Sequence, residues 1–488
     1  MSFMSREKFL EEYVFEVDAE FERNGNAAEW APSSNGGAQH WGQEISRLKL
    51  VDTDPGTGLR PESAAFALSD DGLLMAVATN KVIRIYSSWD QHLEAELVGH
   101  LENVTKVFFA PKNCYLEESY TLLSEAEHYS KEKHNPLILW HIDGGGRLIT
   151  RTMPFAIDSL ADKALGAIKM DLTTHHELPA SSMAEVRKSL VNTLKIADTK
   201  NRSVTLTTLP GSFPGFGSKV FSSDKKLFLH LEHNNTTQSG MRPPDQLPQV
   251  VIRSLNGPET EMARLQGHED AIMWACFSPT DPNVFATAAW DKTYQIWNLE
   301  HKTSSSIIGP TVGQNWSGDF SPDGKHVLLS GTNNVGVYSV ATGDQVAKLE
   351  RPKLEAWVRN LEWSPAGDAV ALCNGIEILL WEPFREGEER RSSGMNVVKL
   401  TKPENRVLEN FMRFHAAKWL DRRGRRLAVM AGDGTVMVWD RKENWKWRFQ
   451  RPQGRAMKLW THEIVYVEET EMLYVLDGDR KVRRWRLS

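Results

Sequence analysis

The chain of 488 residues holds only three cysteines, Cys114, Cys276 and Cys373, and no C-x-x-C pair. That excludes a disulfide framework and a thiolate zinc site, and it fits buried thiols in a reducing compartment. No apolar run approaches the roughly 18 residues that a membrane-spanning helix needs. The opening residues, MSFMSREKFLEEYVFEVDAEFE, lack an apolar leader and are too acidic for a mitochondrial presequence. A cytoplasmic protein is expected, with the nucleus as the alternative. No G-x-S-x-G elbow, P-loop or cluster of metal ligands occurs, so neither an enzyme nor a cofactor nor a metal is expected. His175-His176-Glu177 lacks the i, i+4 spacing of helical metal ligands and reads as a solvated loop. A large net charge is lacking too, at −6, but the charge is unevenly spread. The first hundred residues carry 17 acidic against 8 basic side chains, whereas DRRGRRLA, DRKENWKWRFQR and DRKVRRWRLS near the end are basic. The plain reading is mutual attraction within one fold; a nucleic-acid or anionic-membrane surface is the alternative.

What the sequence has in quantity is self-similarity. A short alternating segment ending in an aromatic residue recurs at Tyr86, Trp140, Trp297, Tyr338, Trp381, Trp439 and Trp485, with Arg253 at the same position of an eighth copy. Trp297, Tyr338 and Trp381 are 41 and 43 residues apart. Upstream of each lies a segment that ends in a turn, such as CFSPTD, DFSPDGK or EWSPAGD. Between the two is a third, such as VFATAAW or HVLLSGT. Period-two alternation bounded by Gly, Asp and Asn turns predicts a three-stranded meander in each copy. One meander cannot bury both its faces, so the copies must stack.

The best-preserved copy is Leu265 to Glu300, LQGHEDAIMWACFSPTDPNVFATAAWDKTYQIWNLE. It resembles a blade of the WD-repeat (Trp-Asp repeat) β-propeller family. The resemblance implies an all-β, single closed propeller, with eight blades expected and seven as the alternative. It also implies a structural tetrad at His268, Thr287, Asp291 and Trp297. Most other copies are eroded, although Gly99-His100, Asp433-Gly434-Thr435 and Trp439-Asp440 survive. The chain ends at VRRWRLS with no outer strand for the last copy. QEISRLKLV, whose alternating part runs from Glu44 to Val51, is expected to supply it and so close the ring.

The repeat is decorated in several places. Residues 1–42 form an acidic arm, with Phe9, Tyr13, Val17 and Phe21 spaced for an amphipathic helix that packs on the propeller or docks a partner. The propeller then occupies residues 43–488. An insertion, 152–201, falls between the third and fourth strands of the second blade, and its Ser182-x-x-Glu185 box and Val186, Leu190, Leu194 stripe predict a helix. EAEHYSKEKHNP and EHNNTTQSGMRPPDQLP are long loops at one end of neighbouring blades. In PFREGEERRSSG, Ser392 and Ser393 follow two arginines and are candidate phosphosites.

Partners of WD-repeat proteins mostly dock on the face where the first strands begin. Aligned on the Phe-Ser-Pro column, the candidates there are Thr105, Met273, Trp274, Trp290, Trp316, Trp357, Arg359, Asn360 and His415. Tryptophan and arginine are enriched at interface hot spots. Trp290 and Trp316 are expected to be exposed, and Trp274 and Trp357 to pack between blades. The function expected is a non-catalytic, monomeric scaffold that binds proteins or peptides. A basic-surface binder of phosphoinositide membrane or nucleic acid is the alternative, although Asp421-Arg422-Arg423-Gly424 reads as a basic hairpin turn. A substrate receptor of a cullin-type ubiquitin ligase is a minor one, because Trp439-Asp440-Arg441-Lys442 ends in Lys where those receptors carry Arg.

Overall fold

The computed structural model describes residues 19–23, 25–32, 43–49, 64–112, 119–127, 136–143, 184–188, 203–234, 246–332, 334–349, 358, 360–374, 377–384, 394–400, 414–431, 436–449, 463–477 and 481–487. The described residues form eight sheets, antiparallel except for one added parallel strand, numbered here by chain order with the strands before Ala64 left aside. Helix is sparse: a stretch at 184–188 and a short turn at Glu468–Thr470. No described helix is long and apolar enough to cross a membrane. The chain divides into two compact units. One unit holds sheet 1 (Ala64–Leu68, Leu74–Thr79, Val82–Ser87, Leu93–Val98) and sheet 2 (Val104–Phe109, Tyr120–Ala126, Leu137–Asp143, Ser203–Leu209). The other unit carries sheets 3 to 8, apart from residues 257–260 of the outer strand of sheet 3, which belong to the first.

Within each sheet the strands from Ala64 onward follow chain order, and N-terminal strands add to the outer edges of sheets 6, 7 and 8. In sheet 4 (Ile272–Phe277, Val284–Ala289, Tyr294–Asn298, Thr303–Ile308) the second strand is buried along nearly its whole length. The fourth alternates exposed and part-buried residues. A strand covered on both faces reads as a continuous apolar run and an outer one as an alternation, which is why VFATAA and TSSSII differ. The core is therefore a series of layers between successive sheets. Trp274, Ala286 and Ile296 of sheet 4 meet Phe320, Val327 and Leu329 of sheet 5 (Asn315–Phe320, His326–Gly331, Asn334–Ser339, Gln345–Lys348). The next layer joins sheet 5 to sheet 6 (Asn360–Trp363, Val370–Cys373, Glu377–Trp381, Gly394–Leu400).

The Ser-x-Asp-Gly column is explained by the hairpins that join first to second strands. Ser69, Ser222 and Ser321 each donate their hydroxyl to Asp71, Asp224 and Asp323 at 2.6 Å. The next position turns through positive φ, at Gly72 (φ 72°) and Gly324 (φ 70°), where a Cβ is disfavoured. Asp421 in Asp421-Arg422-Arg423-Gly424 does the same work, accepting the backbone N–H groups of Arg423 and Arg425. The basic tetrapeptide is thus a hairpin turn of sheet 7 (Phe414–Trp419, Arg426–Ala431, Val436–Asp440, Trp445–Arg448).

Sheet 8 (Glu463–Val467, Met472–Asp477, Lys481–Arg486) takes its outer strand from Gln43–Lys49, which pairs antiparallel with Lys481–Arg486, Leu48 opposite Val482. The alternation of QEISRLKLV anticipates this pairing.

The arm corrects one expectation. Phe21 was assigned to an amphipathic helix, but it lies on the strand Ala19–Arg23, antiparallel to the outer strand of sheet 6 and opposite Val398. Glu29–Trp30 then runs parallel to the outer strand of sheet 7. Phe9, Tyr13 and Val17 lie outside the described residues, as does most of the insertion. The physical reason is that an outer strand presents a row of unpaired N–H and C=O groups, which an arm laid alongside satisfies. Phe21 is fully buried and stacks on Trp439, ring centroids 5.8 Å apart. Replacing Phe21 with Ala is expected to cost about 3–5 kcal/mol, read as a lower denaturant midpoint; an unchanged midpoint would show that the arm contributes nothing to packing.

Candidate functional site

The residues His268, Thr287, Asp291 and Trp297 form a continuous polar chain inside sheet 4. Trp297 Nε1 donates to Thr287 Oγ1 at 2.9 Å, Thr287 Oγ1 lies 2.6 Å from His268 Nε2, and His268 Nδ1 lies 2.7 Å from Asp291 Oδ2. With the carboxylate on Nδ1, the proton belongs there and Nε2 accepts from the threonine. Burial would raise the pKa of Asp291, but hydrogen bonds from His268 and Thr293 prevail and lower it. Gly267 precedes the histidine because the Trp297 ring sits where a side chain would go: a Cβ there would lie 2.8 Å from Cη2. Such a closed network satisfies buried polar tips and fixes the order of the strands. It leaves no free nucleophile.

Sheet 2 keeps three members of the same chain. Trp140 Nε1 donates to Ser124 Oγ at 2.8 Å, and His100 Nε2 lies 2.7 Å from that hydroxyl. Burial lowers the His100 pKa to about 4, so the ring is neutral at physiological pH. Sheet 3 (Leu227–Glu232, Gln249–Ser254, Gly257–Gln266) replaces the chain outright. Arg253 takes the tryptophan position and donates from Nε to His230 Nε2 at 3.0 Å. Arg264 holds Glu232 and Glu261 at 2.7 Å each.

A second set of polar side chains binds one sheet to the next, and sequence reasoning missed it. It occupies the position just before the aromatic of the Phe-Ser-Pro column: Cys276, Asp319, Glu362 and Lys418. Asp319 Oδ2 accepts the backbone N–H of Trp363 at 2.8 Å, and Glu362 Oε2 accepts that of Trp419 at 2.7 Å. Cys276 bonds to the backbone of Phe320, and burial pushes its thiol up to about 12. Lys418 Nζ donates to the Ile464 carbonyl at 2.9 Å. Lys219 neutralises this row, with Nζ 2.6 Å from Asp319 Oδ1. Burial raises the Glu362 carboxyl to about 7, against the lowering by Lys219 and Lys418. The available signal was a charged or sulfur-bearing residue in a column that is otherwise apolar or small.

Of the candidate docking residues, the structure places Met273, Trp274, Trp290, Trp316 and Asn360 in the unit of sheets 3 to 8. Thr105 belongs to the other unit, where its hydroxyl donates to the Glu125 carbonyl. Trp357, Arg359, Ser392, Ser393 and the side chain of His415 lie outside the described residues. Trp274 is fully buried, packed over Gly318. Trp316 overturns the expectation of exposure, being only 5% exposed. Phe216 and Trp290 flank it edge-on, with centroids at 5.8 and 5.3 Å. Phe216 comes from the PGFG turn before sheet 3, which has no strand pattern, so nothing in the sequence announced this lid. Trp290 remains part-exposed and Met273 likewise. Asn360 is spent on the N–H of Ala417.

A feature not foreseen is Val312, 91% exposed in the loop between sheets 4 and 5. Its neighbour Thr311 pins the loop, donating its N–H to Lys292 O at 2.8 Å and placing its hydroxyl 2.9 Å from Asn315 Oδ1. Among the described basic residues of the C-terminal sheets, Arg422, Arg423, Lys442 and Arg486 are exposed, whereas others are engaged within the fold. Lys446 and Arg448 lie over the Trp30 ring, at 4.7 and 5.6 Å. Arg425 pairs with Asp440 and Arg441 with Asp368, both at 2.8 Å.

Comparison with known proteins matches the WD domain, G-beta repeat family model to residues 259–298. The chain is 23% identical to THO complex subunit 3 of Arabidopsis thaliana over 48% of its own length and 69% of that protein's. It is 30% identical to nuclear distribution protein PAC1 of Komagataella phaffii over 17% of each chain. Among solved structures, the computationally designed Ika8 protein superposes with a TM-score of 0.52 at 12% identity, over 88% of this chain and 97% of that one. That likeness is one of fold.

Two outcomes follow from the bracing. Thr287→Val removes the hydroxyl shared by His268 and Trp297, and should cost about 3 kcal/mol by orphaning buried polar groups; equal unfolding midpoints would refute the network's role. Glu362, with its carboxyl raised above the free value, binds a proton more tightly folded than unfolded. Its ionisation therefore erodes stability as pH climbs from about 4.5 to about 7. Glu362→Gln, which keeps an acceptor for Trp419, should flatten that part of the stability–pH curve relative to wild type; parallel curves would count against it.

Proposed function

From the premise that this chain is a WD-repeat β-propeller protein, we propose that it is a non-catalytic scaffold that holds a protein or peptide partner at the ends of sheets 3 to 5. The observation that carries the reading is Val312, 91% exposed on a loop bonded to Lys292, together with the part exposure of Trp290 and Met273. Trp290 is held by Trp316 and Val312 by a pinned loop, so little conformational entropy remains to be lost on binding. An aliphatic side chain 91% exposed on a rigid loop has no use within this unit, and a partner's apolar pocket would cover it. The polar chain of sheet 4 is internally satisfied, which supports bracing over catalysis. The relative named as a subunit of a complex supports a role within an assembly.

The basic-surface alternative and the ligase-receptor alternative gain nothing from the structure. The first would need Lys446 and Arg448, which face Trp30 instead of solvent anions. The second would use the end of sheet 7, where Arg441 is committed to Asp368.

The test is affinity purification of wild type against a Val312→Asp, Trp290→Ala double variant. Val312 is exposed, and a matched melting curve controls for folding. The expected result is loss of a defined subset of copurifying proteins, by tenfold or more; an identical partner set would sink the proposal.

A further inference from the structure

Ahead of sheet 3, the stretch 212–220 ties the docking residues to the row of polar side chains. Gly215 donates its N–H to the Met273 carbonyl at 3.0 Å, and the Lys219 carbonyl accepts the N–H of Phe277 at 3.1 Å. Ser317, next to Trp316, donates its hydroxyl to the Phe216 carbonyl at 3.0 Å. Phe216 and Gly217 both turn through positive φ, at 51° and 77°. Glycine accepts that region freely, whereas a bulky side chain is strained there. Phe216 thus keeps its edge-on place beside Trp316 through its bonds and packing, against the preference of its own backbone.

Three residues on, Lys219 serves two carboxylates. Its Nζ lies 2.6 Å from Asp319 Oδ1, and its charge also acts on Glu362. The other groups that bear on Glu362 are Asp319 of sheet 5 and, from sheet 7, Lys418 and the Trp419 N–H. Lys418 is anchored on the Ile464 carbonyl and Asp319 on the Trp363 N–H. Lys219 has more room, with a flexible stem and a side chain 55% exposed. Glu362 is part-buried, so solvent protons reach it. Burial and Asp319 hold its carboxyl up at about 7 against the two lysines, which puts its change of charge near neutral pH.

With Glu362 protonated, the Lys219 ammonium answers to one carboxylate; with Glu362 ionised, it answers to two. We propose that these two pairings form a proton-operated switch, in which ionisation of Glu362 shifts the Lys219 ammonium and the strained turn carries that shift to the packing of Phe216 on Trp316. The path is continuous: Glu362 to Lys219 by charge, Lys219 to Phe216 along the chain, and Phe216 to Trp316 by ring contact. Because Trp316 is the footing of Trp290, the switch regulates the docking surface proposed above. Its use by a partner rests on that reading, whereas the switch itself belongs to the chain alone.

The test is fluorine NMR of the full chain carrying fluorotryptophan, followed from about pH 5 to about pH 9. Trp316 and Trp419 are assigned by the signals lost in Trp316→Phe and Trp419→Phe. Trp419, whose N–H Glu362 accepts, reports the titration itself, and Trp316 reports its arrival at the docking surface. In wild type both signals should shift in one step centred near pH 7. Glu362→Gln should abolish both steps. Lys219→Met should abolish the step at Trp316 and leave that at Trp419, moved to higher pH because Lys219 lowers the acid. Phe216→Ala, at a part-exposed side chain, should likewise silence Trp316 and spare Trp419, and it serves alone if circular dichroism shows the Lys219 variant unfolded. A Trp316 signal that stays flat in wild type overturns the switch, as does a step at Trp316 that survives in a folded Lys219→Met or in Phe216→Ala. These signals need no partner, so they stand or fall apart from the copurification result.

Discussion

Every sheet of this protein begins with a strand that has a ladder partner on one side only, and the backbone groups of its other edge must be satisfied by something else. In the unit of sheets 3 to 8 part of that task falls to side chains of neighbouring segments, and at sheets 3 and 4 also to the backbone of residues 212–220. Asp319 caps the N–H of Trp363, Glu362 and Asn360 cap those of Trp419 and Ala417, and Ser218 caps that of Ala275. Each bond crosses from one sheet to the next, so it sets the stagger of neighbours as well as filling a vacant acceptor. The apolar layers supply the bulk of the burial, but they are non-directional and would tolerate a slip. The polar caps would not.

This solution puts carboxylates in a setting where ionisation is costly, and pairing meets the cost only in part, since Glu362 is still raised to about 7. Lys219 lies 2.6 Å from Asp319, and Lys219 and Lys418 both act on Glu362. Breaking such a pair leaves an uncompensated buried charge, which is why a row of this kind resists piecemeal change. The tetrad of sheet 4 serves the opposite side of the same problem, tying its second and third strands to the residues that precede the first. Sheets 2 and 3 show how much of it can be lost. Sheet 2 links Trp, Ser and His among the described residues, and sheet 3 substitutes an arginine–histidine contact backed by an ion-pair network.

The same economy shapes the surface. Some cations that looked free for an anionic ligand turn out to lie over Trp30 of the arm, as Lys446 and Arg448 do, or beside carboxylates of the sheets themselves, as Arg425 does. Tryptophans that looked free for a partner turn out to be partly the footing for one another. Of the described docking candidates discussed above, Trp290 and Met273 stay part-exposed, and Val312 is exposed on a pinned loop.

The strand periodicity, the turn chemistry of Ser-x-Asp-Gly, the eight copies and the tetrad of sheet 4 were legible because each depends on residues near one another in the chain or on a repeated spacing. The pairing of Gln43–Lys49 with Lys481–Arg486 was legible too, since a missing outer strand and a spare alternating segment imply each other. The fate of Phe21, the burial of Trp316 and the cover over Lys446 were not. Each depends on a partner remote in sequence and set in irregular chain: an arm against an outer edge, or a Phe216 turn over a neighbouring sheet. Local pattern measures which faces are apolar, whereas exposure is decided by what else arrives at that face, and only the folded chain brings those segments together.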